Sequence, residues 1–312
     1  MNNVYQQLKQ FGKVKINERM SKHTTFEIGG PARFFVVVEE TEKLVGLLNF
    51  LNAEGIGYFI LGNGSNFLLP DGGFDGVVVK IRNQKLEIRN NEIEAEAGVS
   101  LGEVLALALK NNLAGMEWAI GIPGTVGGAI CGNAGAFGSD VSANVDRVEV
   151  WRDGEVVVLS KGECGFVYRG SGLKKDGSVV LRAWFQLMLG DKQEIMNKTQ
   201  KNLQARQGRF PAFPSPGCFF KNVKLEKWPG KKEDLPPLFL ERGTVPVGWL
   251  VEQVDAKGET VGGAMVSKDH GNFIVNVNNA TQSDVLKLVE QIKEKVYNKF
   301  GVELEEEVEV VK

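Results

Sequence analysis

The chain has little of what metal or disulfide chemistry needs: in 312 residues there are three cysteines, Cys131, Cys164 and Cys218, and two histidines, His23 and His270. An odd cysteine count without paired spacing gives no disulfide framework, and five scattered ligands do not read as a metal site. No metal is expected, and a reducing compartment, the cytoplasm, is. Net charge is nearly absent as well, with 37 basic residues against 39 acidic. The whole-chain field therefore gives no reason to expect nucleic acid or an acidic membrane surface as a partner. No apolar run approaches the ~18 residues of a membrane span, and residues 1–20 lack the apolar stretch of a secretory signal. Any anion site must be local.

What is plentiful is glycine, 38 of 312 residues, about 12% where ~7% is ordinary. It has neither the period of collagen nor the polarity of a disordered tract. The density is highest over residues 121–138, where Gly121, Gly124, Gly127, Gly128, Gly132, Gly135 and Gly138 alternate with small residues. A second cluster is Gly62-Asn63-Gly64-Ser65-Asn66. Nearly bare backbone lets N–H groups converge on one anion, so such segments can hold a diphosphate without a lysine. Neither is a Walker loop, since no Gly-Lys-Ser/Thr follows, and neither opens a Rossmann helix after a strand. The same glycines would also serve turns, bulges and close packing.

Periodicity gives an α+β order with many short strands rather than regular βαβ units. Strands are expected at 34–38, 58–61 and 67–69, at two or three places in 77–98 with Asn90-Asn91 as a hairpin turn, at 145–159 turning at Asp153-Gly154, at 179–189 and at 273–277. Helices are expected at 41–54 with Thr41 as N-cap, from the Ser100/Glu103 capping box to residue 110 or 111, at 192–207, and at 283–300 stopped by Gly301. Pro211, Pro214 and Pro216 mark a boundary loop. Length and these breaks suggest three parts: 1–82, 83–209 and 210–312.

Several co-linear motifs then resemble one family. They are Lys22-His23-Thr24-Thr25-Phe26-Glu27-Ile28-Gly29-Gly30-Pro31-Ala32, Leu61-Gly62-Asn63-Gly64-Ser65-Asn66, the 121–138 block with Asn133-Ala134-Gly135-Ala136, and Phe219-Phe220-Lys221-Asn222. Gly248-Trp249-Leu250, Val266-Ser267-Lys268-Asp269-His270, Phe273-Ile274-Val275-Asn276 and the segment 300–305 continue the match. Together they cover nearly the whole chain and are similar to the UDP-N-acetylenolpyruvoylglucosamine reductase family, in its shorter subgroup. The resemblance implies a vanillyl-alcohol oxidase (PCMH) type FAD-binding module of two α+β subdomains, followed by an α+β substrate-binding domain. It implies non-covalent FAD, NADPH as hydride donor and a small UDP-sugar substrate used in peptidoglycan synthesis. A monomer is expected, with no nucleic-acid or membrane partner.

The resemblance also assigns residues. Cofactor binding falls to Gly62, Asn63, Gly64, Ser65 and Asn66, and to Gly121, Pro123, Gly124, Thr125, Gly127, Gly128, Asn133, Ala134 and Gly135. His23 is not a flavin attachment point. Arg169, in the Tyr168-Arg169 pair, would hold developing negative charge, for which a guanidinium fork suits a carboxylate. Glu307 would cooperate with it, although the run 303–309 is largely acidic and reads equally as a solvated edge, where a one-residue shift changes face. Cys218 replaces the serine of many relatives. A thiol, with its reference pKa of ~8.5, can donate a proton; a buried small hydrophobe is the other reading. Tyr168, Lys221, Asn222 and His270 would bind substrate, and Cys131 and Cys164 look structural. The segment 227–246 is a candidate lid or a surface excursion. Two other readings stay open: a different flavoprotein of the same superfamily acting on an alcohol, and a binding module without chemistry.

Overall fold

The computed structural model describes residues 2–208 and 210–311. The chain forms two compact units. One takes the described part of Met1–Glu18 with Ala32–Asn63 and Phe74–Gln207, and the other takes Arg19–Pro31, Gly64–Gly73 and the described part of Gly208–Lys312. The boundary expected at 209/210 falls on Arg209, outside the described residues.

The first unit holds two sheets. Strands Lys13–Arg19, Pro31–Val38, Phe74–Ile81 and Tyr58–Leu61 lie side by side in that order, with Phe74–Ile81 parallel to both of its neighbours. The register pairs Phe34 with Val77, Val36 with Val79 and Val38 with Ile81. These six side chains share a face and pack with Leu44, Leu47, Leu48 and Leu51 of helix Thr41–Ala53. Each such buried side chain contributes about 1.5–3 kcal/mol over an exposed one. The second sheet is antiparallel, in the order Glu155–Ser160, Val145–Arg152, Val179–Gln186, Glu92–Glu96, Leu86–Arg89. Its hairpins turn where expected, at Asn90 (φ 56°) and at Asp153-Gly154 (φ 50° and 92°). Both turns need the left-handed backbone that Asn, Asp and Gly tolerate.

Ser100 and Glu103 form the expected capping box of helix Leu101–Lys110. Thr41 does not cap its helix; Glu40 precedes it in extended conformation and makes no side-chain cap. The Thr41 hydroxyl instead donates to Glu96 Oε1 at 2.6 Å and accepts from Asn83 Nδ2 at 2.8 Å. A buried carboxylate has the stronger claim on a neighbouring hydroxyl, because leaving it unpaired costs more than an open helix end that water can reach. The strand expected at 179–189 breaks at Leu187, and Met188–Leu189 pairs with Leu113–Ala114 instead.

The second unit is built on helix Gln282–Phe300, capped by Thr281 with Asp284 at one end and by Gly301 (φ 66°) at the other. Val285, Leu288, Val289, Ile292 and Val296 line its buried stripe. They pack over the sheet of strands Thr260–Val261, Ala264–Val266 and Ile274–Asn276. Strand Phe67–Leu68 runs parallel to Glu309–Val310. The segment 227–246 is neither a free lid nor a loose excursion. Leu235 and Phe239 enter the core, Thr244–Val245 pairs with Val223–Lys224, and Phe239 packs edge-on to Trp249. Apolar residues every few positions anchor a segment that its prolines and charges made look like surface.

Candidate active site

In the first unit, strand Tyr58–Leu61 ends at Gly62, whose carbonyl accepts a hydrogen bond from the Lys80 ammonium. A Cβ at Gly62 would meet Thr125 Oγ1 at 2.6 Å, and the Asn63 side-chain amide donates to the Pro123 carbonyl at 3.0 Å. The start of one glycine cluster thus lies close against the start of the other and is fastened to it by the Asn63 side chain. Among the described residues, the backbone N–H groups of Asn63, Gly124 and Thr125 have no acceptor. Donors held in place and unspent are what an anion such as a diphosphate requires.

Beyond Thr125 the open nest expected over the whole block gives way to a helix, Val126–Gly132. Thr125 caps it, its hydroxyl accepting from Gly128 N at 3.4 Å. Val126 N and Gly127 N donate to the carbonyls of Val99 and Ala97 at 2.8 and 2.9 Å, and a Cβ at Gly127 would lie 3.0 Å from that of Ala97. Close packing therefore explains Gly127, and its N–H is already committed. Gly135 is likewise a packing glycine: a Cβ there would meet the Ser139 carbonyl at 2.5 Å within the small hairpin of Gly135–Ala136 and Ser139–Asp140. Ala134 closes the same turn, accepting from Val141 N at 2.9 Å. At the other end of the block, Arg206 lies against Gly121 and over the Phe137 ring at 5.2 Å.

Asn133 ends the helix in left-handed conformation (φ 42°). Its side chain is engaged on both sides: Nδ2 donates to Val167 O at 3.0 Å and Asp140 Oδ2 at 3.3 Å, and Oδ1 accepts from Ser142 N at 3.1 Å. Ser171 Oγ donates to Cys131 O at 2.8 Å. Val167 and Gly170 exchange backbone hydrogen bonds, which leaves Tyr168 and Arg169 at the tip of a tight turn. The exposed Tyr168 ring lies 5.4 Å from the Arg169 guanidinium carbon, and Arg169 has φ 55°, a conformation that costs a non-glycine residue free energy. The end of the glycine-rich helix therefore holds the arginine turn from both flanks. Cys164 is buried, and burial pushes its thiol up to about 11, as suits a packing residue.

In the second unit, Gly64 (φ 65°) lies against the first motif: a Cβ would meet the His23 carbonyl at 2.2 Å, and Thr25 N donates to Gly64 O. Ser65 is half-buried beside it. Asn66 Nδ2 donates to the Glu307 carbonyl at 3.1 Å, and Glu309 N to Asn66 O at 2.9 Å. Three stretches of backbone meet here. Cys218 pairs with Phe273, Phe220 pairs with Glu306, and Glu307 N donates to Phe219 O at 2.8 Å. Cys218 and Glu307 thus lie on adjacent antiparallel strands, both half-buried.

Alternation resolves much of the acidic run. Val302, Leu304 and Val308 are buried, Glu303 and Glu305 are exposed, and Glu306 shares the parity of the buried set. Lys221 pairs with Glu305 and Lys293 with Glu306, each at 2.5 Å. Asn222 Oδ1 accepts from Val247 N at 3.2 Å at the start of helix Val247–Gln253. His270 Nδ1 accepts from Asn272 N at 3.1 Å, and its ring lies close to Gly248 and edge-on to Phe273. Sequence reading passed over Asn272, which is buried and pairs with both backbone groups of Phe220, donating to its carbonyl at 2.8 Å and accepting from its N–H at 2.9 Å. It also passed over Lys80, whose signal was a lone charge inside the apolar run Val77-Val78-Val79-Lys80-Ile81.

Among the described residues, no group of three His, Cys, Asp or Glu side chains could hold a metal, and no helix is long and apolar enough to cross a membrane. Comparison with known proteins matches residues 32–160 to an FAD binding domain and residues 209–311 to the C-terminal domain of UDP-N-acetylenolpyruvoylglucosamine reductase. The reductase of that name from Caldanaerobacter subterraneus subsp. tengcongensis is 41% identical over 303 residues, 96% of this chain and 94% of that one. That from Anoxybacillus flavithermus is 38% identical over 96% of this chain and 95% of its own. The crystal structure of the Thermus caldophilus enzyme superimposes with a TM-score of 0.77 at 33% identity, covering 96% of this chain and 98% of the other. The α+β architecture with an FAD-binding module is the one the motifs implied, and the chain belongs to the UDP-N-acetylenolpyruvoylglucosamine reductase family.

Proposed function

We propose that the chain reduces the enolpyruvyl ether of UDP-N-acetylglucosamine enolpyruvate to UDP-N-acetylmuramate, as a cytoplasmic monomer. FAD, held non-covalently by the two glycine-rich segments, supplies the hydride when bound and is reloaded from NADPH. The rest falls to side chains of this chain. Arg169 offers its guanidinium fork to the substrate carboxylate, where negative charge builds as the double bond is reduced. Glu307 works with it in polarising the enolic species. The Cys218 thiol delivers a proton to the carbon beside that carboxylate. Tyr168, Lys221, Asn222 and His270 contact the sugar nucleotide.

The observation that carries this reading is the pairing of Phe219 with Glu307, which sets the cysteine strand beside the glutamate strand. Lys221 and Lys293 pair with Glu305 and Glu306, the two acids that precede Glu307. Anaerobic stopped-flow mixing with NADPH should bleach the flavin, and the enolpyruvyl sugar nucleotide should restore its colour; failure of that second step would sink the reductase reading. Cys218→Ala should leave the first step intact and slow the second by about 10²–10⁴-fold, the range for loss of a general acid, while Cys218→Ser keeps activity. Equal rates in wild type and the alanine variant would remove the thiol from the mechanism.

A further inference from the structure

Strand Phe74–Ile81 contributes Val77, Val79 and Ile81 to the main core of the first unit and turns Val78 and Lys80 to the opposite face. The cross-strand neighbours of Lys80 are Val37 and Leu61, both apolar, and its side chain is half-buried. Its ammonium donates to the Gly62 carbonyl, and among the described residues it has no carboxylate partner. Arg82 adds like charge, and burial above all, with that repulsion, pushes the ammonium down to about 8. A half-buried cation without a counter-ion is an unfavourable arrangement for a folded chain on its own. It becomes favourable when an anion arrives.

The carbonyl that Lys80 grips belongs to the residue before Asn63, whose N–H is unspent, and Asn63 in turn is tied to Pro123, next to the unspent N–H groups of Gly124 and Thr125. We propose that Lys80 is a cofactor-binding residue, that it adds a positive charge to this backbone site and neutralises the diphosphate of the flavin dinucleotide, and that its bond to Gly62 fixes the loop. The inference rests on FAD being the ligand of this domain and deepens that reading. It also changes the physics expected of the site: a nest of neutral N–H groups gives weakly salt-dependent binding, whereas a lysine makes affinity fall as ionic strength rises.

The test is equilibrium binding of FAD, ADP and riboflavin to the flavin-free full chain, followed by flavin fluorescence for FAD and riboflavin and by calorimetry for ADP, at low and high salt. Lys80→Gln keeps a donor for the Gly62 carbonyl and loses the charge; Lys80→Arg keeps both. Lys80→Gln should bind FAD and ADP about ten- to a hundredfold more weakly at low salt, as for loss of a charge-assisted hydrogen bond, with a flatter salt dependence and unchanged riboflavin affinity. Lys80→Arg should recover most of the loss. If Lys80→Gln binds FAD like wild type, or loses riboflavin to the same extent, Lys80 is a loop prop and the proposal is overturned. Absence of FAD binding in the wild-type chain would instead overturn the cofactor reading beneath it. Circular dichroism of each variant separates a folding defect from a binding one.

Discussion

The two units build their candidate chemistry from different parts of the polypeptide. In the first, the site is mostly backbone: Gly62, Asn63, Gly124 and Thr125 are positioned by short side chains, and among the described residues three of their N–H groups meet no acceptor. In the second, both backbone groups of Phe219 and of Phe220 are engaged. Phe219, Phe220 and Lys221 are laced to Asn272 on one side and to Glu305 and Glu307 on the other, and the proposed chemistry is carried by the Cys218 and Glu307 side chains. An anion site needs donors without neighbours, and a proton-transfer site needs side chains that cannot drift. The same residue type, asparagine, braces both: Asn133 in the first unit and Asn272 in the second.

Removing these braces should separate the two designs. The largest effect is expected at Asn272, which is 3% exposed and is the bridge to both backbone groups of Phe220. Asn272→Ala leaves a buried N–H and a buried carbonyl unpaired, at about 1–3 kcal/mol each. Urea unfolding should show a loss of about 3 kcal/mol, and proton delivery should slow with it. A loss below about 1 kcal/mol would mean that water or backbone movement repairs the strand.

Asn133→Ala removes bonds to Val167, Asp140 and Ser142 at a helix end, where water can replace some of them; about 2 kcal/mol is expected. The sharper readout is kinetic. Flavin content and its reduction by NADPH should persist while the reaction with the enolpyruvyl substrate falls, because the turn carrying Arg169 loses one of its two supports. If flavin is lost instead, Asn133 serves the cofactor directly rather than the arginine.

The smallest effect concerns pH. Lys80 titrates near 8 in the folded chain against 10.5 for an unperturbed lysine. Between those values the unfolded chain binds more protons than the folded one, so this group makes the flavin-free protein gain stability as pH rises from about 8 toward 10.5. FAD affinity should move the other way over the same interval, since the anion wants the ammonium charged. The charged group acting on Lys80 is Arg82, and its cross-strand neighbours Val37 and Leu61 do not titrate. Thermal melts of the Lys80→Gln variant should lose this component of the pH slope; an unchanged slope would assign it to other groups.

Much of the fold was legible because it rests on local rules. The Ser100/Glu103 box, the turns at Asn90 and Asp153-Gly154 and the stop at Gly301 are each decided by a few neighbouring residues, and each forms as read. The misreadings share another cause. Thr41 was taken by Glu96, fifty-five positions away; the helix Val126–Gly132 hid in a sequence whose glycines argue against helix; and 227–246 looked like surface until Leu235 and Phe239 found a core. In every case a distant partner outweighed a local preference.

The sequence by itself determined that this is an α+β chain with two glycine-rich, backbone-rich segments and an ordered series of family motifs. Composition, period and motif order are properties of the chain before it folds. Only the tertiary structure decided which glycines are there for packing, as Gly127 is against Ala97, and which adjoin unspent donors, as Gly62 and Gly124 do. It also decided that Lys80, which sequence reading passed over, reaches the Gly62 carbonyl. A hydrogen-bond donor is available or committed according to what stands opposite it, and that is settled by residues far away in the chain.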